Sequence, residues 1–331
     1  MRILVTGGAG FVGSVSVEHL AGAGHDVVVL DTYATASPGA NLAGATVVRN
    51  TYADREAVAA LLRDSRIDAV LHCGARSLVG ESIREPALYF RENVAGGIAL
   101  LEAMRDAGVE RLVISSTAAV YGVPDATPIA EDAPLRPINP YGESKRSLEA
   151  AADWFARAYG LRAVSLRYFN VAGASPTNGE RHEPETHLIP NALRAASGGP
   201  PLTVFGADYP TPDGTPIRDY VHVLDLAEAH RLALEATAPG DRRTGERLLV
   251  CNLGSGVGFS VREVLAVADR VVGRAIPQTI GTRRAGDPPE LVAEIGRARE
   301  VLGWSPTRSS LEEMIGSAWA WWSGRDGRKR G

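Results

Sequence analysis

Cysteine is scarce. The 331 residues contain two, Cys73 and Cys251. Two cysteines cannot build a disulfide framework, and they do not form a metal-binding spacing. His182 with His187, and His222 with His230, match no zinc signature, so no metal is expected. Long apolar runs are missing too. None approaches the roughly 20 residues needed to cross a bilayer, so no membrane partner is expected. Nor is charge of one sign in excess: 35 Lys and Arg face 39 Asp and Glu, a net charge of −4. The basic residues are spread along the chain, which argues against a nucleic-acid surface. The one dense basic cluster, Arg325 to Arg330, reads as a solvated end. The N-terminus enters an apolar run, Ile3-Leu4-Val5, with no leader-like basic, hydrophobic and cleavage segments before it. These features together point to a reducing cytoplasm.

What is present is a strong strand–helix alternation. Strand-like runs at Arg2 to Thr6, Asp26 to Leu30, Ala69 to His72 and Arg111 to Ser115 are short, apolar and rich in β-branched residues, as strands buried on both faces must be. Helical spacing or Ala/Leu-rich composition marks Phe11 to Ala23, Arg55 to Asp64 and Leu88 to Ala107. A helix should follow Pro140, over Tyr141 to Tyr159, and a strand should follow at Ala163 to Tyr168. The order predicts α/β architecture: a doubly wound parallel sheet of Rossmann type with a smaller C-terminal α/β substrate lobe. After Asn170 the character changes. Ser175 to Pro184 and Tyr209 to Pro216 are rich in Pro, Gly, Asp and Thr and read as long loops. Further helices are expected at Val261 to Val272 and Leu311 to Trp322. We expect residues 1–170 to form a nucleotide-binding domain to which about 216–235 returns, and residues 171–331 to form mainly the lobe.

The first strand joins the first helix through Thr6-Gly7-Gly8-Ala9-Gly10-Phe11-Val12-Gly13. Gly7, Gly10 and Gly13 recur every third residue. A tight turn, a close backbone approach to a pyrophosphate and close helix–strand packing each demand a small residue here. The anion would then rest on free N–H groups at a helix N-terminus. Asp31 ends the second strand, where a carboxylate can accept both hydroxyls of an adenosine ribose and would repel a 2′-phosphate. No Arg or Lys stands at Thr32 to Ser37. The expected cofactor is therefore NAD rather than NADP.

Tyr141 and Lys145, at i and i+4 after Pro140, share one helix face. A nearby ammonium can lower a phenol pKa from about 10 toward neutrality, making a general base for a sugar hydroxyl. Thr117 closes a strand at the carboxyl edge of the sheet, where it can bond the same hydroxyl. A Tyr and a Lys four apart usually mean packing alone. The glycine loop and the strand-end hydroxyl, in the right chain order, change that reading.

These segments resemble the extended short-chain dehydrogenase/reductase family and, within it, the UDP-glucose 4-epimerases. The similarity runs from Met1 to about Trp322. It includes VGES (Val79 to Ser82), SSTAAVYG (Ser115 to Gly122), PYGESK from Pro140, LRYFNVAGA (Leu166 to Ala174), HEPETHLIP (His182 to Pro190), NLGSGVGFSV (Asn252 to Val261) and the long segment from Phe205 to Ala227. The resemblance implies cofactor contacts from Phe11, Val12, Cys73, Gly74, Ala75, Arg76, Glu92 and Phe169, beside Gly7, Gly10, Gly13, Asp31, Tyr141 and Lys145. For the substrate it implies Asn170, His187, Leu188, Phe205, Arg218, Tyr220, Arg284, Asp287 and Leu291, beside Thr117 and Tyr141. Two arginines can fork onto a diphosphate, and Asp287 can accept from ribose hydroxyls.

The implied reaction is C4 epimerisation of a UDP-hexose. Tyr141 removes the C4 hydroxyl proton, the hydride passes to NAD, the 4-keto sugar turns over, and both return on the other face. The family's dimer packs long helices, here about Leu88 to Ala107 and Tyr141 to Tyr159, so a homodimer is expected. The chain departs from the family at Thr51, where an Asp usually meets adenine, and at Glu92, which replaces an Asn; Arg76 stands in for a Lys. Leu291 occupies a position where a Tyr excludes bulky 2-substituents, which admits the N-acetylhexosamine pair. A 4,6-dehydratase would need acids after Thr117, where Ala118 and Ala119 stand. A UDP-pentose or UDP-uronate 4-epimerase would share all of this machinery. A non-catalytic NAD-binding regulator would usually lack Tyr141 or Lys145.

Overall fold

The computed structural model describes residues 1–34, 39–244, 247–284 and 287–329, the last five of these in backbone only. The side chains of the basic cluster from Arg325 to Arg330, and part of the segment from Thr32 to Ser37, lie outside the described residues. In the first half β1 (Arg2–Thr6), α1 (Phe11–Gly22), β2 (Asp26–Leu30) and β3 (Thr46–Val48) are followed by α2 (Arg55–Asp64), β4 (Ala69–His72), α3 (Val79–Arg84), α4 (Pro86–Tyr89), α5 (Gly96–Ala107), β5 (Arg111–Thr117), α6 (Pro140–Tyr159) and β6 (Arg162–Tyr168). Then come β7 (Asn170–Ala172), α7 (Leu188–Ala196), β8 (Leu202–Phe205), β9 (Ile217–His222), α8 (Val223–Ala236), β10 (Leu249–Leu253), β11 (Gly258–Ser260), α9 (Val261–Val272), β12 (Gln278–Gly281), β13 (Glu290–Leu291), α10 (Gly296–Leu302) and α11 (Leu311–Lys329).

Seven strands form one sheet in the order β10-β6-β5-β4-β1-β2-β3, and every pair in it is parallel. The winding reverses between β1 and β4, whose last residues pair Thr6 with His72. Ligands of open α/β sheets bind in the crevice that such a reversal opens at the strands' carboxyl ends. The central strands are buried on both faces, which is why β1, β2 and β4 are mostly apolar, whereas the edge strand β3 leaves Thr46 and Val47 exposed. One face meets α1 and α8, with Val17, Leu20, Leu226 and Ala233 in contact with Ile3 and Val113. The other meets α2, α5 and α6 through Leu62, Met104, Leu148 and Ala152. His230 Nδ1 of α8 lies 3.0 Å from Ser16 Oγ of α1.

The lobe has its own core, where α7, α9 and α11 pack Leu193, Val264, Met314 and Ile315 against β8. A small sheet in the order β11-β9-β13, with β7 also on β9, joins lobe to crevice. Residues 249–253 fall within the span assigned above to the lobe, and they form the outermost strand of the large sheet.

The stretch from Leu88 to Ala107 is not one regular helix. The short α4 passes into a π-turn over Phe90–Ala95 before α5 begins. The wider turn inserts an extra residue and rotates Asn93 inward, where it is 1% exposed.

Candidate active site

Every cofactor, catalytic and substrate residue named from the sequence lines a single cleft of about 1320 Å³ between the sheet's carboxyl edge and the lobe. Its floor is the glycine loop. Gly7 adopts φ +66, a conformation that L side chains rarely take, and a Cβ there would stand 2.6 Å from the Gly74 backbone. A Cβ on Gly13 would stand 2.1 Å from the Gly7 carbonyl, whereas one on Gly10 would reach no atom nearer than 3.4 Å. The loop is closed at Gly7 and Gly13 by the protein itself, and Gly10 leaves room over the start of α1. Asp31 holds this loop in place: its carboxylate accepts from Ala9 N at 2.9 Å and Tyr33 N at 2.7 Å. One lone pair on each oxygen remains for ribose hydroxyls.

At the far end Pro140 opens α6, and the Asn139 side chain caps it by accepting from Gly142 N at 2.8 Å. This fixes the first turn, which carries Tyr141. Tyr141 and Thr117 both line the cleft, and the Thr117 hydroxyl accepts from Ala119 N at 3.1 Å. Burial raises the Tyr141 pKa, and the nearby Thr117 hydroxyl opposes it. Lys145, 2% exposed, donates from Nζ to the Ser115 carbonyl at 2.8 Å. Burial pulls its pKa down to about 8, while Cys73 and Glu149 act in the opposite sense. The expectation that the ammonium would draw the phenol pKa toward neutrality is not met by the protein's own groups, since burial raises it. Lys145 is anchored to the strand end beside Tyr141, and the groups in this chain leave the phenol protonated at neutral pH. A cationic ligand ring in the cleft would push it the other way. Ser116 Oγ is buried with no hydrogen-bond partner among the described residues and also faces this cleft.

Three residues matter here to which the sequence reading gave no role. Asn93 donates to the Arg76 carbonyl (3.0 Å) and Ser144 Oγ (2.9 Å) and accepts from Arg76 N (2.8 Å), tying the segment after β4 to α6. Tyr89 packs edge-on to Tyr141, ring centres 6.4 Å apart, and its hydroxyl donates to Glu81 at 2.8 Å. Asp219 is fully buried and accepts from Ser255, Gly256 and Ala293 amides, so it pins the turn after β10 beside β13. Only the π-turn and the tertiary packing bring these groups into the site; no local pattern announces them.

On the lobe side Arg218 meets Asp287 at 2.6 Å and also donates to the Pro288 carbonyl at 2.8 Å. The Arg284 guanidinium lies 4.2 Å above the Phe205 ring. Tyr220 and Asn170 both line the cleft; burial pushes the Tyr220 pKa up to about 12, opposed by Arg218 and Asn170. Leu291 packs with Ala118, Tyr121 and Phe169 below the Thr117 end. Thr51 lines the cleft and uses its hydroxyl locally, accepting from Ala53 N at 3.1 Å. The carbonyl of Glu92 accepts from Tyr52 Oη at 3.1 Å.

Residues 3–251 match the NAD dependent epimerase/dehydratase family. The chain belongs to that family. Members it resembles include UDP-glucose 4-epimerases from Streptomyces lividans, 50% identical over 97% of this chain and 96% of the relative, and from Streptococcus mutans, 49% identical over 98% and 97%. Among solved members, the UDP-glucose 4-epimerase from Brucella ovis in complex with NAD superposes with a TM-score of 0.92, at 43% identity over 96% of this chain and 97% of that one. The seven-stranded parallel sheet and its crevice are the family's Rossmann-type fold.

Proposed function

We infer that this chain is an NAD-dependent UDP-glucose 4-epimerase, an isomerase that interconverts UDP-glucose and UDP-galactose through a 4-keto sugar. The observation that carries the reading is the joining, in one cleft, of Tyr141, Thr117 and Lys145 with the Arg218–Asp287 clamp. The room that Gly10 leaves over the start of α1 and the unpartnered Ser116 hydroxyl suit a dinucleotide here. NAD, when bound, supplies a reversible hydride acceptor, so the reaction consumes none of it.

The chain's own residues handle the proton and the grip. Tyr141 takes the proton from the C4 hydroxyl, and Thr117, in the same cleft, holds that hydroxyl in line. Lys145 keeps a positive charge beside the phenolate. Arg218 and Arg284 hold the diphosphate, Asp287 the ribose, and Phe205 the base. The mechanism asks that the sugar be held loosely enough to turn over while the nucleotide stays fixed. Tyr141 then returns the proton on the opposite face.

The same reading assigns the large sheet, with α8 and β10, to the cofactor and the lobe to the UDP-sugar. It places the enzyme in the cytoplasm, with both cysteines as free thiols. Among the described residues no helix is long and apolar enough to cross a membrane. A homodimer is supported by the apolar side chains that α3, the π-turn, α5 and α6 turn outward, including Ile83, Phe90, Ile98 and Trp154, the last 65% exposed. Sedimentation as a monomer at micromolar concentration would remove the dimer from this reading. Leu291, set among small and aromatic neighbours at the sugar end, supports turnover of the N-acetylhexosamine pair as well.

The decisive assay incubates purified protein with UDP-galactose and no added cofactor, following UDP-glucose by NMR. Formation of UDP-glucose, lost in Tyr141→Phe, is the expected result. Turnover of only a UDP-pentose or UDP-uronate reassigns the substrate, and no turnover of any of them sinks the enzymatic reading.

A further inference from the structure

The loop between β7 and α7 starts and ends on the substrate side of the cleft. Asn170 of β7 and Leu188 of α7 both line it there. The middle of the loop is fastened elsewhere. Asn178 is 0% exposed, and its amide is turned toward the cofactor side. Oδ1 accepts from Asn41 N at 2.9 Å, and Nδ2 donates to the Asn41 carbonyl at 2.8 Å. The side chain thus makes both backbone bonds that a paired strand residue would make. Asn41 stands on the connection that leaves Asp31, and Thr32 and Ala34 at the start of that connection line the cleft too.

A second anchor lies on α1, the helix that follows the glycine loop. Glu18 Oε2 accepts from Ser175 Oγ at 2.6 Å, Thr177 Oγ1 at 2.9 Å and Asn178 Nδ2 at 3.1 Å. A closed turn presents the amide: Asn178 N donates to Ser175 Oγ at 2.9 Å, and Ser175 N donates to the Asn178 carbonyl at 2.8 Å. The partners also fix which way the amide faces. Asn41 N needs an oxygen, whereas Glu18 and the Asn41 carbonyl need an N–H. Aspartate here would set a second carboxylate against Glu18 and an oxygen against the Asn41 carbonyl.

We propose that Asn178 is a positioning residue for cofactor retention: it clasps the wall beside Asp31 to the loop whose ends border the nucleotide-sugar site, so that a nucleotide bound there slows the escape of NAD. The proposal rests on reading the cleft as an NAD and UDP-sugar site. Connectivity sets its direction. To free the wall beside Asp31, the Asn178 bonds must break or the loop must follow, and a ligand gripping both ends of the loop resists the second course. The coupling is reciprocal, so NAD tightens the binding of UDP by the same factor. A reaction that regenerates its cofactor gains from slow escape, because no turnover is lost to reloading.

The test dilutes protein loaded with radiolabelled NAD into excess unlabelled NAD and follows loss of label, with and without saturating UDP. Asn178→Asp and Asn178→Ala should each speed release by about tenfold or more, the scale of one or two buried hydrogen bonds. UDP should slow release by about fivefold or more in the wild-type protein and have no effect in either variant. kcat at saturating NAD should be unchanged. Glu18→Gln added to Asn178→Asp removes the facing charge, offers an N–H in its place and should restore part of the slow release. Equal release from wild type and Asn178→Asp overturns the proposal. So does a UDP effect of the same size in wild type and variants, which is what an asparagine that only stabilises the fold would leave. If the Asn178 variants do not fold, Glu18→Ala, which removes three of the bonds, decides: unchanged release with an unchanged UDP effect overturns the proposal. None of these readings needs turnover. A chain that holds NAD behind the clasp but leaves UDP-galactose unaltered removes the epimerase reading alone.

Discussion

The Lys145 ammonium and the Ser115 carbonyl are 2.8 Å apart. That bond fixes the charge at the end of β5, two residues before Thr117, rather than on the phenol it serves. Burial holds the Lys145 pKa down to about 8. Below that pH the side chain is charged and favours phenolate at Tyr141; above it the charge is lost. kcat/KM for UDP-galactose should therefore fall on an alkaline limb with a midpoint near 8. Lys145→Met should lose about 10²–10⁴ in kcat and should also lose that limb. A pH–rate profile with the same alkaline fall in both proteins would assign the ionisation elsewhere.

The glycine loop separates packing of the protein from packing of the cofactor. Gly13→Ala sets a Cβ 2.1 Å from the Gly7 carbonyl, an overpacking that should destabilise the cofactor-free fold by about 1–3 kcal/mol. Gly10→Ala meets only ordinary contacts at 3.4 Å. It should leave the melting temperature of the stripped protein unchanged while lowering the NAD released on denaturation, read at 260 nm. Equal loss of stability in both variants would contradict this division.

Behind the site, Arg167 and Glu149 pair at 2.8 Å with side chains 4% and 5% exposed. Their hydrogen bonds and charge hold Arg167 in its charged form, against burial. Glu149→Gln strands a buried guanidinium and should destabilise by about 3–5 kcal/mol in urea unfolding. Arg167→Met added to it should recover a large part. A loss under about 1 kcal/mol in the single variant would show that water reaches the pair.

At the sugar end, Leu291→Tyr adds bulk beside Ala118 and Phe169. UDP-galactose turnover should persist while UDP-N-acetylglucosamine turnover drops by about tenfold or more, roughly the scale of a lost pocket fit. A parallel fall for both sugars would mean that Leu291 does not discriminate at C2.

The central strands and the flanking helices could be read from the chain because buried parallel strands and amphipathic helices carry opposite periodicities. The catalytic pair could be read because Pro140, Tyr141 and Lys145 are local. What escaped was non-local or too short. Thr46–Val48 is a three-residue strand with two exposed positions. The π-turn at Phe90–Ala95 differs from an α-helix by one residue, too little to disturb an apolar pattern, and so the inward turn of Asn93, beside Glu92, could not be read.

The outermost position of β10 sets an order of assembly. When β6 leaves the ribosome its free edge has no neighbour, and the neighbour it needs, Leu249–Leu253, lies beyond most of the lobe. Until that strand arrives, an open apolar edge is available to other chains. Slow or interrupted translation between the two strands should favour aggregation, and fragments ending before residue 249 should need a chaperone to stay dispersed.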